Sequence, residues 1–203
     1  MTKMKPADLQ MSFGIFLVFL GSFLLQNYVI FPIESRIFDP AVVQIASLMF
    51  IPHGVKVIVA TLYGPLAVFP ILLGQTIGIY MYTFDLEFSF SFGAIAVLAV
   101  FIPVFLISYL EKGGMEGDEA AFSDRHTLVL GRKVLVIALI SSLLNSYFAS
   151  LLNGVTPDSH IWLRFLVGDM FGATVIFGII YLMRRKIRSW LFEKAGVEQR
   201  KRM

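Results

Sequence analysis

Apolar residues occur in long stretches along the chain, and short polar connections separate one stretch from the next. Six stretches approach or exceed the ~20 consecutive apolar residues that a transmembrane helix needs. They cover residues 11–32, 41–63, 66–84, 90–110, 131–152 and 162–183. The pattern predicts an all-α polytopic membrane protein, with six transmembrane helices in a single domain that covers residues 1–203.

The second stretch, residues 41–63, is the least regular, because Pro52 and Gly54 interrupt it. Proline removes a backbone donor and clashes with the preceding helical turn, and glycine relaxes the backbone further. We therefore expect this span to be broken or kinked at Pro52. The Tyr-Gly-Pro turn at residues 63–65 follows, and it predicts a tight antiparallel hairpin with the third span.

Composition supports a membrane protein and excludes several kinds of chemistry. Hydrophobic residues make up 57% of the chain, which is above the ~45–50% of ordinary soluble domains. The sequence contains no cysteine, so disulfides, thiolate catalysis and cysteine-ligated metals are excluded. Two of the three histidines, His126 and His160, are predicted on opposite sides of the membrane. We therefore expect neither a metal site nor a cofactor.

The distribution of basic residues predicts the orientation in the membrane. Of the 17 Lys and Arg residues, 14 fall on one side of the membrane: before the first span, between the fourth and fifth or in the first residues of the fifth, and after the sixth. The opposite side would carry only Arg36 and Arg164, and Lys56 lies within a span. Because basic loops are retained in the cytoplasm, both termini are expected there. The net charge of +3 thus follows the membrane topology and does not predict a nucleic-acid partner.

The segment after the last span, residues 184–203, is strongly basic. Ile187, Trp190 and Leu191 would share one face of a helix, with basic side chains around them. This pattern is typical of an interfacial helix that lies on anionic membrane lipid. The alternative is a plain basic segment that stops transfer through the membrane.

Few ionisable or amide side chains lie within the spans, and each charged group in hydrocarbon costs at least ~2.5–3.5 kcal/mol. Counting along the predicted helices places His53, Gln75, Asn145 and Asp169 in one zone of the outer half, with Lys56 one turn deeper than His53. Gln26, Ser141 and Ser142 are further polar groups at membrane depth. The predicted ligand-binding residues are His53, Lys56, Gln75, Asn145 and Asp169.

Each of these residues also has a structural explanation. Gln75 and Asn145 could hydrogen bond to a neighbouring helix, and Asp169 could form a structural ion pair. Lys56 could extend its ammonium group to the cytoplasmic interface. His53 is harder to explain in this way, because irregular backbone at membrane depth needs protein or water around it. We expect His53 to point into a polar cavity shared with Asp169 and Asn145, to which Gln75 could also contribute, in a site that responds to pH or to an anionic ligand.

Two parts of the sequence resemble a known family. Residues 51–64 read IPHGVKVIVATLYG and residues 72–78 read LLGQTIG. Together they resemble the Pro-x-Gly stretch, apolar helix and closing glycine of MASE1, a bacterial membrane-associated sensor domain. Residues 167–172, VGDMFG, are similar to the Gly-Asp-x-x-Gly segment of that domain. The resemblance implies a bacterial inner-membrane location and structural roles for four residues: Pro52, Gly54, Gly168 and Gly172.

Two functional hypotheses follow. The first is a sensor-like or accessory protein that binds a small ligand in the outer-half pocket, or senses pH, and signals to a separate partner protein. The second is a substrate-binding membrane subunit of an energy-coupling-factor transporter for a vitamin-type solute, since six spans in about 200 residues resemble that format. An enzyme is not expected, because the spans contain a single aspartate and no serine-histidine pair at a plausible sequence spacing.

Overall fold

The computed structural model of the chain describes residues 6–39, 47–111, 124–153 and 159–200. The described residues form helices and their connections, and no strand occurs among them. The α-helices are α1 (Pro6–Leu25), α2 (Phe31–Glu34), α3 (Ile51–Tyr63), α4 (Val68–Thr83), α5 (Leu86–Glu111), α6 (Asp124–Asn153) and α7 (Ser159–Arg200). A π-helical turn, Gln26–Ile30, joins α1 to α2, and a 3-10 turn, Gly64–Ala67, joins α3 to α4.

Five helical segments of the described chain are long and apolar enough to cross a membrane. They are Pro6–Glu34, Ile51–Thr83, Leu86–Leu110, Val129–Phe148 and Trp162–Met183. The all-α prediction is therefore confirmed for the described residues. The prediction of helices apolar enough to span a membrane is confirmed as well. Residues 51–63 of the second predicted span and 66–83 of the third fall on one helical segment, Ile51–Thr83, which contains the 3-10 turn Gly64–Ala67.

That segment folds back on itself at Gly64. Its first residue, Ile51, donates its amide to Gln26 Oε1 at 3.0 Å, and near its other end the Tyr82 ring lies 5.8 Å from the Phe31 ring. Both ends thus meet the same end of the first helical segment. Gly64 has φ +53°, a left-handed conformation that favours glycine. The reversal predicted from the Tyr-Gly-Pro turn is present. The two helices do not form a tightly packed hairpin, however, because α3 packs mainly against α7, and α4 packs mainly against α5 and α1.

The beginning of the second predicted span differs from the expectation. Helix α3 begins at Ile51 and has 13 residues, so it is about 20 Å long. Residues 47–50 are not helical, and residues 40–46 lie outside the described chain. Pro52 sits in the first turn of α3, where its missing amide costs no helical hydrogen bond. The irregularity therefore precedes Pro52, and the helix is not kinked at this residue.

The first helical segment is irregular for a related reason. Pro32 has no amide to donate to the carbonyl of Tyr28, so the regular α-helical hydrogen-bond ladder cannot continue through this point. The chain widens into the π-helical turn Gln26–Ile30 just before it. Such turns are frequent at functional sites. Here the turn begins with Gln26, whose side chain is fully buried.

Contacts between named residues give the helix directions. Phe19 and Phe23 of α1 lie against Gly74 and Gly78 of α4 respectively, so α1 and α4 run in the same direction. In the same way, α3 and α7 run parallel, since Phe50 meets Gly172 and Ser47 meets Gly168. Helix α6 runs antiparallel to α7. One continuous apolar core joins these helices, with Phe19, Phe23, Val57, Ile71, Val100, Val134 and Ile137 fully buried.

Candidate functional site

Residues 47–50 form a non-helical strap that enters α3, and Glu34 binds its start. The Glu34 carboxylate accepts hydrogen bonds from the Ser47 hydroxyl at 2.9 Å and from the amides of Leu48 and Met49 at 3.1 Å each. Non-helical backbone in a membrane protein must find such partners, because lipid offers none. Glu34 therefore supplies the acceptors that a neighbouring turn of helix would otherwise provide.

Gln26 and α7 satisfy the rest of the strap. The Gln26 amide nitrogen donates to Ser47 Oγ at 3.1 Å, and its oxygen accepts from the Ile51 amide at 3.0 Å. The Phe50 amide donates to the carbonyl of Gly168 at 3.0 Å. Arg164, also on α7, lies 3.8 Å from Glu34 Oε2. The strap is thus held by side chains from the first helical segment on one side and by the backbone of α7 on the other.

Three of the predicted structural residues form the contact between the strap, α3 and α7. A Cβ atom added to Gly168 would overlap the carbonyl oxygen of Ser47, and one added to Gly172 would overlap that of Phe50. A Cβ atom on Gly54 would lie 2.5 Å from the carbonyl oxygen of Gly172. The backbones approach so closely that only glycine fits at these positions. This close approach is what brings His53 beside Asp169.

His53 stands between Asp169 and Ser141 and is completely buried. Its Nδ1 atom lies 3.1 Å from Asp169 Oδ2, and its Nε2 atom lies 3.1 Å from Ser141 Oγ. The Nδ1 contact has the distance of an ion pair, without the alignment of a hydrogen bond. Ser141 Oγ is also 3.1 Å from the carbonyl oxygen of Ala138. The expected juxtaposition of His53 with Asp169 is therefore present, and Ser141 extends it to α6.

Lys56 and Asn145 lie close to this contact. Lys56 follows His53 by one helical turn, is only 1% exposed, and interacts electrostatically with the Asp169 carboxylate. Ser142, beside the carboxylate, is followed one turn later on α6 by Asn145. The structure thus groups three of the five predicted ligand-binding residues, His53, Lys56 and Asp169, at the junction of α3, α6 and α7, with Asn145 buried one helical turn beyond Ser142.

Gln75 belongs to a different part of the molecule. It is buried on α4, and the main contacts of α4 are with α1, α5 and the 3-10 turn. Its neighbours Gly74 and Thr76 face Phe19 and Gly93 respectively. The described contacts therefore do not join Gln75 to His53 and Asp169. Equal depth in the membrane was a poor guide here, because depth says nothing about which helices are adjacent.

Several buried polar atoms around His53 make no hydrogen bond within the described chain. They are both carboxylate oxygens of Asp169, Nδ1 of His53, Oγ of Ser142 and Oδ1 of Asn145. A buried polar group without a partner costs about 1–3 kcal/mol. Asp169 and His53 partner each other in part, and Ser142 lies beside the carboxylate, so a proton, a water molecule or a small ligand could complete the remaining contacts. We call His53, Lys56, Ser141, Ser142, Asn145 and Asp169 the polar cluster.

The order Asp169, His53, Ser141 is also that of a hydrolytic triad. Ser141 is fully buried, however, and its hydroxyl contacts the Ala138 carbonyl as well as the imidazole. A nucleophilic serine must instead be open to substrate, next to donors for an oxyanion. Ser141 is thus a buried hydrogen-bond partner of both the imidazole and the Ala138 carbonyl. Among the described residues, no group of three or more His, Cys, Asp or Glu side chains is placed to bind a metal.

Sequence reasoning missed the contribution of Glu34 and the specific role of Ser141. Glu34 stands at the end of the first apolar stretch, where an acidic residue looks like an ordinary interfacial group. A sequence signal did exist for Gln26, because an amide at membrane depth needs a partner. Ser141 gave a weaker signal, since a serine in a helix can bond to its own backbone.

Comparison of the chain with protein-family models, with curated proteins and with solved structures finds no match.

Proposed function

We propose that the chain crosses the bacterial inner membrane six times, with both termini in the cytoplasm. The distribution of basic residues supports this topology. The reversal at Gly64 supports it too, because it makes two opposed passages of the segment Ile51–Thr83. Helix α3 is shorter than the ~30 Å hydrocarbon layer, and the strap extends its passage.

Reporter fusions test the topology. Fusions at Asp85 and Asp158 should report the outside, whereas fusions within residues 113–120 should report the cytoplasm. An external signal from residues 113–120 would contradict the six-span arrangement.

The polar cluster is, in this proposal, the site of a sensor-like or accessory membrane protein. It binds a small ligand or responds to pH, and it signals to a separate protein partner. One observation carries this proposal: His53, Lys56 and Asp169 are almost completely buried together, while several polar atoms around them have no hydrogen-bond partner. Burying such groups in a membrane core costs free energy. Ionisable groups that are kept there usually mark a functional site. The MASE1 resemblance, which stays a hypothesis, agrees with a sensor role.

Helix α7 provides a route for the signal. Gly168 and Gly172 contact the strap through backbone atoms, and Asp169 lies between them in the polar cluster. From Asp169 the helix continues to Arg200, which is about 45 Å along its axis. A ligand that moves Asp169 against the strap would therefore displace one long, rigid element. The basic segment at its far end, residues 184–203, would then meet the partner protein and the lipid surface.

Ligand-dependent stabilisation tests the proposed site. The full chain in lipid nanodiscs would be heated with a panel of small carboxylates, phosphates and amino acids, and over a series of pH values. A compound or pH change that acts through the site should raise the unfolding temperature of the wild type and have no effect on Asp169→Asn. The matched control, Glu87→Gln, changes an exposed acid on α5 and should respond like the wild type.

The outcomes separate the hypotheses. Equal stabilisation of the wild type and Asp169→Asn by every condition would contradict the site. Accumulation of a stabilising compound inside vesicles that contain the chain and an energy-coupling ATPase would favour the transporter-subunit hypothesis over the sensor.

A further inference from the structure

The hydroxyl of Ser141 has two acceptors within reach and only one proton to donate. Its oxygen is 3.1 Å from His53 Nε2 and 3.1 Å from the carbonyl oxygen of Ala138. A hydroxyl has one donor and two acceptor lone pairs, so it can donate fully to only one of these atoms at a time. The protonation of His53 decides which one, because a bare Nε2 is an acceptor and a protonated Nε2 is a donor.

We propose that the polar cluster takes up one proton, and that Ser141, His53 and Asp169 exchange between two hydrogen-bond arrangements as it does so. Without the added proton, the Ser141 hydroxyl donates to Nε2, and the Nδ1–H group of His53 faces the Asp169 carboxylate. With it, Nε2–H donates to Ser141 Oγ, and the hydroxyl turns to donate to the Ala138 carbonyl. The proton comes from solvent, only hydrogen bonds change, and the charge of the cluster rises by one.

The geometry accommodates both arrangements with only small movements of heavy atoms. The two distances from Ser141 Oγ are equal, so the hydroxyl needs only to rotate. The Asp169 carboxylate lies 3.1 Å from Nδ1, at the distance of an ion pair, so it can hold an imidazolium or accept its proton. Complete burial and the neighbouring Lys56 ammonium oppose a charged imidazole, whereas the Asp169 carboxylate at this distance favours it. The exchange therefore depends on His53 and Asp169 together and on neither residue alone.

The charged groups around His53 are few. Lys56 on the same helix and Asp169 on α7 are the titratable groups that face it. On α6 and α7 the other described titratable groups lie at least five residues from Ala138, Ser141 and Asp169, namely Arg132, Lys133, Tyr147, Arg164 and Tyr181. On α1 and α5 they lie near the helix ends, namely Asp8, Glu87 and Tyr109, and Glu34 binds the strap.

Protonation would alter a backbone group as well as a side chain. In the protonated arrangement the Ala138 carbonyl gains a hydrogen bond from Ser141, and such bonds to the preceding turn bend helices slightly. The two arrangements therefore differ in the local geometry of α6 at its contact with α3. The proton would then regulate the site proposed above, on which this inference rests. Its test requires neither a ligand nor a partner protein.

Nitrogen NMR of His53 tests the exchange directly. Since the chain has three histidines, the variant His126→Gln/His160→Gln leaves His53 as the single source of ¹⁵N-histidine signals. The full chain in lipid nanodiscs would be titrated over the pH range in which it stays folded. We expect one step, in which Nε2 changes from a bare acceptor to a protonated donor. A His53 spectrum that keeps one protonation state throughout would overturn the proposal.

Ser141→Ala and Ser146→Ala then form a matched pair on α6. Ser146 is buried too, and its hydroxyl bonds to the Leu143 carbonyl just as Ser141 bonds to that of Ala138. We expect Ser141→Ala to displace the His53 step and to remove the hydrogen-bonded signature of Nε2, with Ser146→Ala titrating like the parent. Identical titrations of the two variants would contradict the role of Ser141. The titration of the parent decides whether a proton binds even where Ser141→Ala fails to fold.

Failure of this proposal and failure of the proposed function remain distinguishable. A His53 that does not titrate, in a chain that a small compound still stabilises through Asp169, would refute the proton exchange and leave the ligand site in place. If His53 titrates but no signalling partner changes, the proton exchange stands and the proposed signalling function is contradicted.

Discussion

Two interfaces of the molecule rest on glycines four residues apart, and they use the missing side chain differently. At the interface of α1 with α4, Gly74 and Gly78 make room for the rings of Phe19 and Phe23. At the interface of α7 with the strap, Gly168 and Gly172 make room for the carbonyl groups of Ser47 and Phe50. The first interface is side chain against backbone, and the second is backbone against backbone.

This difference explains why the polar cluster lies at the interface of α7 with the strap and not at the interface of α1 with α4. A phenylalanine ring can tilt or shift if its neighbour grows, so the α1–α4 interface tolerates small changes. A carbonyl group cannot move without moving the chain, and the strap is also tied to Glu34 and Gln26. The strap interface is thus fixed in place, and it holds His53 within 3.1 Å of Asp169. Rigid support of this kind is what a precise polar site requires.

The largest expected effect comes from adding one methyl group to the backbone interface. Gly168→Ala places a Cβ atom onto the carbonyl oxygen of Ser47 and should lower the stability of the folded protein by about 3 kcal/mol, the upper part of the usual range for overpacking. Thermal unfolding in detergent measures it. On the same helix, Gly178→Ala meets nothing within 4 Å and serves as the control. Equal stability of the two variants would show that the strap is not packed against α7.

Removing the carboxylate that binds the strap should have the next largest effect. Glu34→Ala leaves the amides of Leu48 and Met49 without this acceptor, at a cost of about 1–3 kcal/mol. Glu34→Gln keeps one acceptor oxygen and should fall between Ala and the wild type. Glu87→Gln, on an exposed residue, should change stability little. If Glu34→Ala unfolds at the wild-type temperature, the Glu34 carboxylate does not stabilise the strap.

A double-mutant cycle should detect the contact that the backbone interface positions. His53→Gln and Asp169→Asn are expected to be non-additive by about 0.5–3 kcal/mol, as is usual for residues in contact. Unfolding midpoints of the wild type, both single variants and the double variant give the coupling energy. The cycle of Ser22→Ala with Asp169→Asn is the control, since Ser22 is a buried residue of α1 whose hydroxyl bonds to the Phe19 carbonyl. Additive effects for His53 and Asp169 would argue against an energetic link between them.

The smallest expected effect tests the other side of the comparison. Gly74→Ala brings a Cβ atom to 2.7 Å from the ring edge of Phe19, which can shift, so the loss of stability should be about 1 kcal/mol. The same unfolding measurement applies, with Gly21→Ala of α1 as a control that meets no atom within 4 Å. A loss as large as that of Gly168→Ala would remove the distinction between the two interfaces.

Helix α7 continues into the basic tail. The sequence predicts a basic interfacial helix at residues 184–203, and the backbone is helical as far as Arg200, continuous with α7. The side chains of residues 184–200 lie outside the described part of the structure, as do residues 201–203 altogether. The contact of this segment with membrane lipid therefore stays a prediction.

The sequence by itself determined the class of the protein and the identity of the expensive residues. Long apolar stretches give helices in a membrane wherever they occur, because the backbone must satisfy its own hydrogen bonds in lipid. Burial of His53 and Asp169 followed from their depth and from the cost of a charge in hydrocarbon. The Tyr-Gly-Pro turn indicated the reversal at Gly64, since glycine readily adopts a positive φ.

Only the tertiary structure decided which helices are neighbours, and with them the membership of the polar cluster. Gln75 and Asn145 were equivalent by depth, yet the packing of α4 against α1 and α5 separates Gln75 from His53. Glu34 gained its role because the chain folds back to place the strap against it, 13 to 15 residues later in the sequence. Ser141 is 88 residues from His53, a separation that no local pattern encodes. Hydrophobic periodicity fixes which face of a helix is buried, whereas the partner of that face depends on the shapes of all the helices together.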